Sequence, residues 1–256
     1  MAKPKPAAAA ASTGAVAGKP VPTESTSAPA PNRTRLFRPV DWLTFGVVTL
    51  VMLLAYVLTL SPDLTLEDSG ELAVGSMYAG VPHPPGYPLW TIYSWFFTVI
   101  LPFSNMAWRV AMSSAVAAAL SVGLIGLLVS RGSSLIVESI DLFKNIERKW
   151  ENPMCLVSGL VAGLLLGFNG FIWSQAVIVE VYTLAVLTFA GVLVCLFEWT
   201  YATHRRGLLY GAFFLFGLCF CNHQTLIVAA MGIEVLVAMA DRRVGRDLFL
   251  GNTLIW

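Results

Sequence analysis

Long apolar runs alternate with short clusters of charge along this chain, and most of the runs have the length of membrane spans. They cover residues 41–60, 106–129, 154–172, 177–199, 208–221 and 225–240, and a further run begins at Leu248. A hydrocarbon core roughly 30 Å thick takes about 20 helical residues to cross. Inside it every backbone N–H and C=O must be bonded within its own segment, so each run should be a helix. The pattern predicts an all-α fold, a polytopic transmembrane helical bundle. The block from Pro88 to Pro102 is shorter, bounded by prolines and carries Trp90, Tyr93, Trp95, Phe96 and Phe97. The last two runs, between Leu208 and Ala240, allow only about 16 residues per crossing against the ~20 expected, which predicts a tilted or broken pair turning at Asn222-His223-Gln224.

Basic residues orient the bundle. If Pro88 to Pro102 lies in the interface rather than crossing, the N-terminal cluster, Arg131 with Lys144, Arg148 and Lys149, Arg205 with Arg206, and Arg242, Arg243 and Arg246 all fall on one side. Arg109 is then the one exception among 16 Lys and Arg. The positive-inside rule makes the crowded side cytoplasmic and places the loops after the first span outside. The aromatic block then reads as an interfacial or re-entrant helix of the first outer loop. The segment from Arg131 to Asn152 carries Leu135, Ile136, Ile140, Phe143 and Ile146 near helical spacing, which predicts an amphipathic helix on the inner surface.

The composition agrees with a membrane chain: 57% of the 256 residues are hydrophobic and 12% charged, where a soluble domain carries roughly 25% charged. A net charge of +1 gives no reason to expect nucleic acid as a partner. Cys155, Cys195, Cys219 and Cys221 sit in apolar runs and read as small buried hydrophobes. Residues 1–38 are rich in Ala, Pro, Ser and Thr and predict a disordered cytoplasmic tail. Residues 39–256 form the membrane domain, and because the chain stops inside an apolar run at Trp256 it is expected to be C-terminally incomplete.

The candidate chemistry lies on the outer side. Asp63, Glu67, Asp68 and Glu71 occupy the first outer loop, and Asp68 and Glu71 share a face if that loop is helical. Leu72, Ala73, Met77 and Tyr78 would hold such a helix to the membrane surface. A partly desolvated carboxylate there can serve as a general base; a solvated acidic loop at a helix N-terminus fits the spacing as well. Four prolines in Val81-Pro82-His83-Pro84-Pro85-Gly86-Tyr87-Pro88 stiffen the segment carrying His83 and Tyr87, which equally suits a structural bend. Arg109 opens a span and is expected to pair with a loop carboxylate, bind a phosphate or snorkel to headgroups. Trp173-Ser174-Gln175, then Glu180 and Tyr182 placed in the top of the next span, and finally Asn222 and His223 complete the outward polar groups. Glu198 reads as snorkelling, and Glu234 has no evident partner in the sequence.

In combination and order, Asp68-Ser69-Gly70-Glu71, His83-Pro84-Pro85-Gly86-Tyr87-Pro88, Trp173-Ser174-Gln175, Glu180-Val181-Tyr182 and Asn222-His223 resemble the domain-of-unknown-function 2723 family, the transmembrane protein 260-like group. That group is similar to GT-C glycosyltransferases such as the protein O-mannosyltransferases. The resemblance covers roughly residues 41–241. It implies an inverting transferase that moves a mannose-like sugar from a polyprenyl-phosphate donor to a hydroxyl of a protein or glycan acceptor, on the periplasmic face of a bacterial inner membrane or in the lumen of the ER. The resemblance assigns the general base to Asp68, with Glu71 second, and sets Arg109 against the lipid phosphate. His83, Tyr87, Glu180, Tyr182, Asn222 and His223 would line the cavity. Neither a metal nor any cofactor is expected beyond the lipid-linked sugar. Members of the wider group have more spans than this chain, so a transporter or flippase, or a truncated non-catalytic paralogue, stay open as alternatives.

Overall fold

A computed structural model describes residues 36–65, 68–140 and 148–255 of the chain. Residues 1–35 of the predicted tail fall outside the described residues, as do Glu67, Phe143, Lys144 and Ile146, whereas its last three residues are described and packed, with Leu36 buried. Among the described residues the fold is helical throughout. Four helices are long and apolar enough to cross a membrane, fewer than the apolar runs suggested.

The first is α1 (Pro39–Leu58). Pro39 supplies a preset φ at its first turn, and Asp41 accepts a 2.8 Å hydrogen bond from the backbone N–H of Arg38, closing the N-terminus. Asp41, Thr44, Val48, Met52 and Tyr56 fall three or four apart and form its buried stripe. Two short helices follow, α2 (Ser69–Met77) and α3 (Pro88–Ile100). On α2 the buried face is Ser69, Leu72, Ala73 and Ser76. Of the four apolar residues expected to meet the membrane surface, Leu72 and Ala73 are buried in the bundle while Met77 and Tyr78 are exposed. Ser76 instead hydrogen-bonds Ser94 of α3 at 2.7 Å, so α2 is fastened to α3 by hydroxyls as well as by apolar contact.

The central element is α4 (Met106–Ser139), capped by Asn105 accepting from the N–H of Trp108. At 34 residues it is about 51 Å long, well beyond the ~30 Å core. It continues ten residues past the predicted end, so Arg131 is buried within α4 instead of lying on a separate surface helix. Burial is possible because Arg131 donates to Ser134 at 2.8 Å and lies over the Tyr201 ring. Beside it, Arg38 bonds Asp41 and Glu151, Ser130 donates to Asp41 at 2.6 Å, and Ser134 donates to Glu151 at 2.9 Å. This network joins α1, α4 and α5 (Arg148–Gly167) at the basic end of the bundle.

Away from that end the three helices approach through glycine. A Cβ on Gly159 would lie 2.6 Å from the Gly126 carbonyl, one on Gly163 would lie 2.8 Å from Val48, and one on Gly167 would lie 2.8 Å from Met52. Small residues at four-residue spacing allow helix backbones to meet closely where lipid offers no hydrophobic drive. The predicted third span, residues 154–172, is in fact α5 followed by a separate short helix, α6 (Gly170–Ala176), which Asn169 caps.

A second core forms among α7 (Tyr182–Tyr201), α8 (Arg206–Phe220) and α9 (Ala229–Ala240), centred on Val192, Leu196, Trp199, Phe216 and Val237. A 3₁₀ turn over Gln224–Val228 joins α8 to α9, so the short final pair is a broken one, as its length required. The basic cluster at Arg242 opens a further helix, α10 (Arg242–Ile255), folded back on α9. There Asn252 donates to Glu234, the partner that the linear sequence did not reveal.

Candidate active site

The first outer loop returns to its own start. Asp68 precedes α2 as its N-cap residue without making a side-chain cap bond, and Glu71 lies in the first turn. Gly86, at φ 90°, turns the proline segment, with its N–H on the His83 carbonyl at 2.9 Å. A side chain there would also press on Val81 at 3.0 Å, so glycine is required on both counts. Tyr87 takes a left-handed φ of 41° before Pro88 starts α3. The Pro84–Pro85 peptide is cis. This path sets His83 against the two carboxylates.

Glu71 accepts from the His83 backbone N–H at 2.6 Å, and its other oxygen lies 3.2 Å from His83 Nδ1. A carboxylate accepts, so the contact at Nδ1 suits an imidazole N–H donated to Glu71. Tyr87 Oη lies 3.4 Å from His83 Nε2, with the two rings edge to face at 5.5 Å. Polar contacts thus link Tyr87 to His83 and His83 to Glu71. Asp68 approaches the same Nε2 at 3.8 Å and is the more exposed carboxylate, its side chain 61% accessible against 50% for Glu71.

Glu180 lies before α7, in the connection from α6, and not inside the span as its sequence context suggested. It is buried. Its carbonyl accepts from Trp90 Nε1 at 3.0 Å and from Ser114 Oγ at 3.1 Å. Its carboxylate accepts from the Val181 N–H at 3.1 Å. Asn222, fully buried, donates to the Val181 carbonyl at 3.4 Å. Three elements therefore hold the two residues that lead into Tyr182. The Tyr182 ring packs on His223 at 5.2 Å, and Thr225 Oγ1 sits 2.5 Å from His223 Nδ1. Burial raises the Tyr87 phenol above its ordinary value, and the fields of Tyr182, Glu180, Asp68 and Glu71 raise it further. Tyr87 thus feels groups of both the first loop and the start of α7, and three residues further along α3 Trp90 bonds the Glu180 carbonyl. Helix N-termini carry partial positive charge, which favours acidic groups placed beside them.

Residues 68–245 match the family described as Protein O-mannosyl-transferase TMEM260 N-terminal domain. The chain belongs to this family. It is 30% identical over 178 residues to the protein O-mannosyl-transferase TMEM260 of Mus musculus, a match covering 68% of this chain and 22% of the mouse protein. With the protein of the same name from Dictyostelium discoideum it shares 28% over 170 residues, covering 62% and 18% respectively. The chain thus spans about a fifth of the length of these relatives. No solved structure matches it at a significant level. The family match starts at Asp68 and includes every residue of the cluster.

Arg109 stands apart from the group. Its guanidinium is bound to the carbonyls of Thr98, Phe103 and Ser104, closing the turn from α3 to α4. Among the described residues its side-chain bonds go to these carbonyls, and about 16 Å of helix separates Thr98 from Tyr87. Trp173 packs edge-on to Tyr56 at 5.5 Å, and Gln175 lines a small cavity together with Tyr182 and Thr183. Two contributors had no distinguishing signal. Trp90 reads as one more ring of an aromatic belt and Ser114 as one more small helix residue, and both are buried on the Glu180 carbonyl.

Proposed function

We propose that this chain carries the reaction centre of a membrane O-mannosyltransferase, which moves a mannose-like sugar from a polyprenyl-phosphate donor to a protein or glycan hydroxyl on the side opposite the basic end. Asp68 is the general base. It takes the acceptor proton while the acceptor oxygen bonds to the anomeric carbon and the bond to the lipid phosphate breaks, with inversion. The observation that carries this reading is the division of work between the two first-loop carboxylates. Glu71 spends both oxygens holding His83, whereas Asp68 lies at the accessible edge, close to the same imidazole. A base has to reach its proton, and the more exposed carboxylate is the one placed to do so.

In this account Tyr87 and His83 orient the base. Glu180, set by Trp90 and Ser114, and Tyr182 form the facing wall. Since Thr225 occupies His223 Nδ1, Nε2 is the nitrogen left to meet the donor. Arg109 is a structural closure of α3 rather than a phosphate contact. The names of the mouse and Dictyostelium relatives support mannose as the sugar.

The donor class is tested with full-length protein in lipid vesicles. Labelled mannose should pass to acceptor from polyprenyl-phosphate mannose and not from a nucleotide-linked mannose, and the product linkage should be inverted. Transfer from the nucleotide sugar alone, or retention at the anomeric carbon, would contradict the proposal.

A further inference from the structure

A second site lies at the other end of the bundle. Between α4, α7 and α9 runs an open groove of about 470 Å³, lined by Gly132, Ile136, Leu193, Phe197, Thr200 and Leu236 among others. Its volume falls within the roughly 300–1,000 Å³ of ligand clefts. The lining is almost wholly apolar, and Gly132 contributes open space, because a Cβ there would meet nothing within 4 Å. The outer cluster uses none of these residues.

The basic turns identify the occupant. Thr200 lies a turn and a half before His204-Arg205-Arg206, and Leu236 lies a similar distance before Arg242-Arg243. Arg205 is paired with Glu198 at 2.6 Å, while Arg206, Arg242 and Arg243 are exposed. At the same level Tyr201 lies over the buried Arg131 guanidinium, an amphipathic ring of the kind found at the membrane interface. The α7 and α9 walls of the apolar furrow are thus each followed, within two helical turns along the chain, by exposed arginine. A molecule that complements both has a hydrocarbon tail and an anionic head at the membrane surface.

We infer that this groove binds one acyl chain of an anionic phospholipid from the leaflet facing the basic end, with the headgroup held by the arginines of the two turns. Each arginine near an anionic surface contributes on the order of one tenfold step or slightly less in affinity.

The test uses full-length protein in nanodiscs of phosphatidylcholine doped with phosphatidylglycerol, followed by native mass spectrometry of retained lipid. The expected result is preferential retention of phosphatidylglycerol. Retention is lost in Gly132→Leu, which fills the groove, and falls roughly thirtyfold in the double variant Arg206→Gln/Arg243→Gln. Should Gly132→Leu fail to fold, the arginine pair decides alone, since both side chains are on the surface. Equal retention of the two lipids, undiminished retention in the arginine variant, or displacement by added polyprenyl phosphate would overturn the inference. So would a groove that retains no lipid because a further helix of the full-length protein fills it.

Discussion

Asp68 and Glu71 are three residues apart and carry the same functional group, yet their surroundings give them different work. Glu71 is fixed by a backbone N–H and an imidazole; Asp68 keeps an accessible oxygen beside that imidazole. Spacing alone could show that the two share a helix face, but not which one would be held, because that depends on where the proline segment returns. Tyr87 is the hinge of that return. Burial and the neighbouring negative groups disfavour its phenolate, so its ionisation moves above the ordinary 10.0 and the ring remains neutral beside His83. The phenolate absorbance difference between wild type and Tyr87→Phe should therefore reach its midpoint above pH 10. A midpoint at lower pH would show that the phenol lies outside this environment. Arg109 illustrates the limit of reading charge from sequence. A lone arginine opening a span advertises a partner, but backbone carbonyls satisfied it here, and carbonyls leave no mark in a sequence.

At the scale of elements, hydropathy located the helices and misplaced several of their ends. Charge at Arg131 predicts the end of the span and a separate surface helix, whereas Ser134 and the Tyr201 ring let α4 continue through it. Glu180 was placed inside a span because apolar residues surround it, whereas hydrogen bonds from Trp90 and Ser114 stabilise a non-helical connection there. Such tertiary bonds override local pattern. The glycines of α5 were legible as composition but not as a contact. Their function is close approach, so Gly159→Val should be strongly destabilising, by more than the about 1–3 kcal/mol of ordinary overpacking, since its Cβ would meet the Gly126 backbone oxygen. Gly132→Ala, at an open position on α4, should leave thermal stability nearly unchanged. Melting of the two variants in the same detergent checks this, and equal melting points would refute the proposed packing.

For the whole molecule, the two ends of the bundle divide stability from chemistry. At the basic end, Asp41 is fully buried and receives Arg38 and Ser130. Removing one partner of a buried charged group costs roughly 3–5 kcal/mol. About 28 Å of α1 separate Asp41 from the outer loop. Asp41→Ala should therefore lower the melting temperature clearly while the surviving folded protein keeps its KM for donor. A changed KM with unchanged stability would mean that the network serves the site directly. The side on which the basic turns gather, and the polar turns gather opposite, was readable from the order of spans. The coupling of Tyr87 to both the first loop and the start of α7 was not, because it depends on contacts between stretches far apart in the chain.

The most direct test of the account is transfer of mannose from polyprenyl-phosphate mannose by full-length protein carrying Asp68→Asn, with Glu71→Gln beside it. If Asp68 is the base, Asp68→Asn lowers kcat by roughly 10²–10⁴ with donor affinity nearly unchanged. Glu71→Gln, which can still accept the His83 N–H, loses far less. Full activity in Asp68→Asn, or a larger loss in Glu71→Gln, would contradict the assignment of the base.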